Sequence, residues 1–123
     1  MVVFRCFMIE VLDAGSKLLV IIATRDREKA RAGLMYARNS MKNKWFDEVK
    51  VVFFGPSEKL AAHDDEIAWY VKEIVDRGEC FACKAISDDD YVSEKLQKAG
   101  VSVEYVGSVV SDAIKDGYMP MVW

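Results

Sequence analysis

Cys83 is the residue of this chain best placed for covalent chemistry. It closes the stretch Glu79-Cys80-Phe81-Ala82-Cys83-Lys84-Ala85-Ile86-Ser87, which reads as a short apolar strand running straight into a helix start. In an open parallel α/β sheet, ligands and reacting groups gather at the carboxyl ends of the strands. A thiol becomes a nucleophile when nearby positive charge or a helix N-terminus stabilises the thiolate. Lys84 and the helix start near Ser87 supply that potential, and Asp88, Asp89 and Asp90 oppose it. The plain alternative is a small buried hydrophobe, which is how most free cysteines behave.

Cys80 and Cys83 spell a CxxC string, but residues three apart in a strand point to opposite faces, so no redox disulfide is expected. Zinc would need a second ligand pair, and Cys6 with His63 is a poor substitute. No metal and no cofactor is therefore assigned. His63 is the single histidine. It is read as lying in a loop from Ser57 to Asp64, on the same sheet edge as Cys83. That loop is long for a βα connection and would serve as a lid or a subunit contact, which places Gly55 and Pro56 among the candidate binding residues. Arg25 follows the first strand and can bind an anion, although such an arginine more often pairs with a neighbouring carboxylate. The three aspartates are better explained by helix capping and dipole compensation than by a metal.

Composition excludes several classes of function. The 17 basic and 20 acidic residues leave a net charge of −3, so no basic field recruits nucleic acid or a membrane surface. There is no GxxxxGK[ST] or GxGxxG phosphate loop, and the first loop, Thr24 to Glu28, lacks the Ser/Thr/Gly-rich cradle of a flavin site. Receiver-type phosphoacceptor chemistry would need acidic residues where Thr24 and Cys83 stand. Three cysteines, an odd count without a secretory signature, predict a reduced, cytoplasmic compartment. Met1 to Leu12 is apolar but carries Arg5 and Glu10 and is too short to span a bilayer. It is expected to be an extra edge strand or an extension, so residues 1–15 stand apart within a single domain of 123 residues.

The elements that would position these residues alternate as βαβ units. Leu18 to Thr24 and Val49 to Phe54 are continuous apolar runs, as in strands buried on both faces. Between them, Thr24 or Asp26 can cap a helix in which Ala30, Leu34, Ala37 and Met41 recur at helical spacing. A second helix runs from about Asp65 to Arg77 and is closed by Gly78. Cys80 to Ala85 is the third strand. Ser87 and Asp90 form a capping-box pattern for a helix bearing Val92, Leu96 and Ala99. Val101 to Val106, Ser108 to Asp116 and Met119 to Trp123 complete the set, with Pro120 suiting an edge strand. The expected fold is a three-layer αβα sandwich on a five-stranded, mostly parallel sheet of flavodoxin-like order 2-1-3-4-5. Trp123 is expected to cover a subunit interface.

Taken together, the runs LLVIIATRDREKA, FFGPSEKLA, FACKAIS, GVSVEYVGSV and GYMPMVW resemble, in order and spacing, the DsrE/DsrF-like family, which includes TusD-like sulfur-relay subunits and YchN-like proteins. The resemblance spans Lys17 to Trp123. It implies a persulfide-carrying thiol at Cys83 that takes sulfane sulfur from a donor and hands it to a partner protein, with Arg25, His63 and Lys84 shaping its pocket. It also implies a homo-oligomer, a trimer or hexamer. The chain departs from the family pattern in the Lys84–Asp88 sequence after Cys83 and in lacking a C-terminal cysteine arm. The alternative is a non-catalytic oligomeric protein that binds a small ligand or a partner on the same scaffold.

Overall fold

The computed structural model describes residues 15–123; the strand or extension expected for the first dozen residues, and Cys6, lie outside the described residues. Five strands form one parallel sheet: β1 (Lys17–Ile22), β2 (Glu48–Phe53), β3 (Glu79–Cys83), β4 (Ser102–Glu104) and β5 (Met119–Val122). Six helices connect them: α1 (Arg27–Lys42), α2 (Ser57–His63), α3 (Asp65–Val75), α4 (Lys84–Asp89), α5 (Ser93–Lys98) and α6 (Val106–Lys115). The α/β class is as expected, and the sheet is wholly parallel.

Strand order corrects the flavodoxin-like expectation: it is β4-β3-β2-β1-β5, not 2-1-3-4-5. The cause lies in the first two crossovers. In the expected order the chain would step one way to β2 and back across β1 to β3. Right-handed connections would then put α1 and α3 on opposite faces. The sequence instead ties those helices together. Arg27 Nη2 lies 2.6 Å from Glu66 Oε1, Arg31 Nε 2.9 Å from Glu66 Oε2, and Arg38 Nη2 2.9 Å from Glu73 Oε1. Both helices therefore pack on one face, and the chain steps steadily from β1 to β4. It then returns over the other face through α6 to pair β5 with β1. The Pro-bearing β5 is an edge strand, as Pro120 requires.

The two sheet faces are covered unequally. Leu18, Val20, Ile22, Val51 and Phe53 face α1, α3 and α5 and form the larger core. Leu19, Val52, Phe81 and Cys83 face α6, which contributes Val106 and Ala113. Trp123, expected at a subunit interface, is half-buried within the chain itself. It packs against the larger core, and a Cβ on Gly33 would stand only 2.6 Å from its Cγ. The indole needs a glycine in α1 to lie this close.

Candidate functional site

Two segments leave the carboxyl edge of the sheet at β1 and β2 and enclose a cleft. The first runs from β1 through Thr24 and Arg25 into α1. Asp26 is the helix cap: its Oδ1 accepts from the Glu28 and Lys29 N–H groups at 2.9 and 3.2 Å, and Thr24 Oγ1 accepts from Asp26 N–H at 2.9 Å. These bonds fix the backbone on both sides of Arg25. The second segment leaves β2 through Gly55 and Pro56 into α2. Gly55 takes φ +91°, a left-handed conformation that costs a glycine little. Pro56 then pre-sets the helical turn, and Ser57 Oγ donates to the Ile22 carbonyl, pinning the foot of α2 to β1.

Here the sequence reading needs correction: Ser57–His63 is a helix, not a loop. Lys59 and His63 are four residues apart and so lie on one face. With Arg25, Pro56, Leu60 and Asp64 they line a cleft of about 430 Å³. Arg25, Lys59 and His63 are exposed, and Arg25 takes no part in the ion pairs among the described residues. Lys59 Nζ lies 3.6 Å from Asp90 Oδ1. Asp64, the one carboxylate of the lining, is already engaged. It caps α3 by accepting from Glu66 and Ile67 N–H at 3.0 Å, and Arg27 Nε binds its other oxygen at 2.5 Å. The Ile67 amide and the Arg27 guanidinium hold its carboxyl below the usual range. The cleft thus presents three basic side chains against one neutralised acid, on an acidic protein.

The structure brings Arg25, Pro56 and His63 together but not Cys83, Lys84 or Gly55, so the pocket expected around Cys83 is not built from these residues. Cys83 ends β3 on the α6 face, whereas α2 rises on the opposite side of the sheet. It is 8% exposed and belongs to the apolar layer on that face, with Phe81 two residues before it in β3. Lys84, expected to activate it, instead binds Asp88 at 2.6 Å, and that carboxylate holds its ammonium above the usual range. Asp88 also accepts from Ser93 Oγ at 2.5 Å. Cys80 faces the other core, as strand alternation predicts, and burial pushes its thiol up to about 12.

The capping box expected from Ser87 and Asp90 does not form. Ser87 is buried inside α4 and donates to Lys84 O, and Tyr91 at φ +58° ends that turn before α5 begins. Lys59 and Glu58 are site residues that the sequence reading missed. Their signal was the breaker-free SEKLAAH after Pro56, which reads as helix once Pro is placed just before its first turn.

Comparison with known proteins yields fold likeness. No family model matches the chain, and no curated protein does. Among solved structures, the chain is similar to a conserved protein of unknown function from Bacteroides thetaiotaomicron. The TM-score is 0.82 at 23% identity, over 91% of this chain and 98% of that one. It is also similar to a protein of unknown function from Methanobacterium thermoautotrophicum, with TM-score 0.59 at 16% identity, over 88% of this chain and 99% of that one. At these identities the likeness is one of fold.

Proposed function

We propose that this protein binds a small anionic ligand in the cleft between the β1–α1 turn and α2. The observation that carries this reading is the convergence of Arg25, Lys59 and His63 on one open cleft whose single carboxylate is neutralised by Arg27. A guanidinium with no carboxylate partner is ready to take an anion in a bidentate pair. Pro56 and Leu60 give the cleft an apolar wall, suiting a compact ligand with one charged end. Calorimetric titration of the protein with thiosulfate and with inorganic phosphate tests this. Binding of either, weakened about tenfold in Arg25→Ala, supports the reading, since a charged hydrogen bond is worth about 1.5–3 kcal/mol. No heat with either anion, or equal affinity in the variant, sinks it.

A second reading keeps the DsrE-like resemblance: Cys83 carries sulfane sulfur as a persulfide and passes it to a relay partner. It is favoured by the place of Cys83, as the residue where β3 hands over to α4 at the carboxyl edge. Intact mass after incubation with polysulfide decides it. A sulfur adduct lost in Cys83→Ser supports the carrier, and an unmodified protein rejects it. Assembly into a trimer or hexamer belongs to the same resemblance. Its physical support is exposed Met119 and Val122 on β5 and Ile114 on α6, and sedimentation equilibrium tests it.

A further inference from the structure

We propose that Glu58, buried at the foot of α2, is a proton-operated latch: protonated it holds the cleft wall from Gly55 to His63 on the sheet, and ionised it lets that wall open. The proposal deepens the anion-binding reading by giving the same cleft a dependence on pH, and rests on that reading only for its functional meaning.

Glu58 is 0% exposed. Its Oε2 accepts from the Gly55 N–H at 3.2 Å, closing a tight turn in which the Glu58 N–H donates back to Gly55 O at 3.0 Å. Its Oε1 is buried with no hydrogen-bond partner among the described residues. A carboxylate in that position would hold a desolvated charge on one hydrogen bond, which costs far more than the neutral carboxylic acid there. No cation faces it. From the end of α4 comes Asp90, a like charge, whose own partner is Lys59. On α1 and α3, Arg27 and Glu66 are paired with each other, and Arg27 also binds Asp64, the cap of α3. Burial, reinforced by Asp90, pushes the Glu58 carboxyl up to about 7.

The mechanical link is short. Glu58 sits between Pro56 and Lys59, both in the cleft lining, on a helix of under two turns that also carries Leu60 and His63. The foot of this helix is fixed by the Gly55–Glu58 turn and by Ser57 on the Ile22 carbonyl. Opening that lets water reach Glu58 therefore moves the lining.

The sign follows from proton linkage. The closed wall keeps the Glu58 proton up to about 7, whereas an open wall releases it near the ordinary 4.5. Closure is fully present at the acid end, weakens as pH rises through that window and is constant above it. Hydrogen exchange on the ligand-free protein tests this, reading the protection of amides 57–63 as a ratio to their intrinsic exchange rates so that the pH dependence of the exchange chemistry cancels. In the wild type the relative protection should fall about tenfold per pH unit between 4.5 and 7. Glu58→Gln should show no such slope. Asp90→Asn, which removes the like charge and frees Lys59, should lower the upper edge of the window and guards against a poorly folded Gln variant. A flat wild-type ratio, or a slope kept in Glu58→Gln, overturns the latch. Since no anion is present, either result leaves the binding reading to the phosphate titration.

Discussion

The carboxyl ends of β2 and β3 lie side by side, paired through Phe53 and Ala82, yet they lead into opposite surroundings. The end of β2 opens into a polar turn and a helix whose outer face carries Lys59 and His63 over the cleft. The end of β3 points Cys83 into the apolar layer under α6. Arrival at the carboxyl edge of a parallel sheet is thus not enough to make a site. The face to which the last side chain points, and what covers that face, decide between a reactive group and a core residue. A thiol in the apolar layer under α6 serves as part of the core, whereas a solvated guanidinium beside a spent carboxylate is open to a ligand.

Substitutions can break this contrast or sharpen it. The largest effect is expected from Phe53→Ala, which empties a fully buried site in the core beneath the cleft. A loss of about 3–5 kcal/mol in denaturant unfolding is expected, and a loss under about 1 kcal/mol would mean that β2 is not the support it looks to be. Arg25→Ala comes next, with about tenfold weaker anion binding and unchanged stability. Cys83→Ser should cost about 1–2 kcal/mol of stability by placing a hydroxyl in an apolar layer. It should leave anion affinity untouched, and a parallel loss of binding would join the two strand ends that the structure separates. The smallest effect is expected from Asp88→Asn, which frees Lys84 from its carboxylate. If Cys83 is sealed, its alkylation rate by iodoacetamide should not change; a marked acceleration would show the thiol to be within reach of Lys84.

Much of the scaffold was readable from the chain, and particular residues show why. LLVIIAT and VKVVFF are strands because parallel strands covered on both faces are apolar throughout, and the Ala30–Leu34–Ala37 spacing registers α1. Opposite facing of Cys80 and Cys83 followed from strand alternation alone. Strand order did not, because hydrophobic runs state that a strand is buried without saying beside which neighbour. The missing information was carried by charge: Arg27, Arg31 and Arg38 recur along one side of α1 as Glu66 and Glu73 do along α3, so the two helices had to share a face. At the site, Arg25, Pro56 and His63 were identified from the chain, but Lys59 was hidden by reading α2 as a loop. The burial of Glu58 was not legible either, because a glutamate in the first turn of a helix is ordinarily a solvated, dipole-compensating residue.

The most direct test is an amide chemical-shift titration of the isotope-labelled protein with phosphate and, separately, thiosulfate. Anion binding in the cleft predicts saturable shifts at Arg25 and across 57–64, with Phe81 to Lys84 unmoved. Shifts centred on Cys83 and Lys84, with Arg25 and His63 silent, would contradict it and return the chemistry of this protein to the thiol.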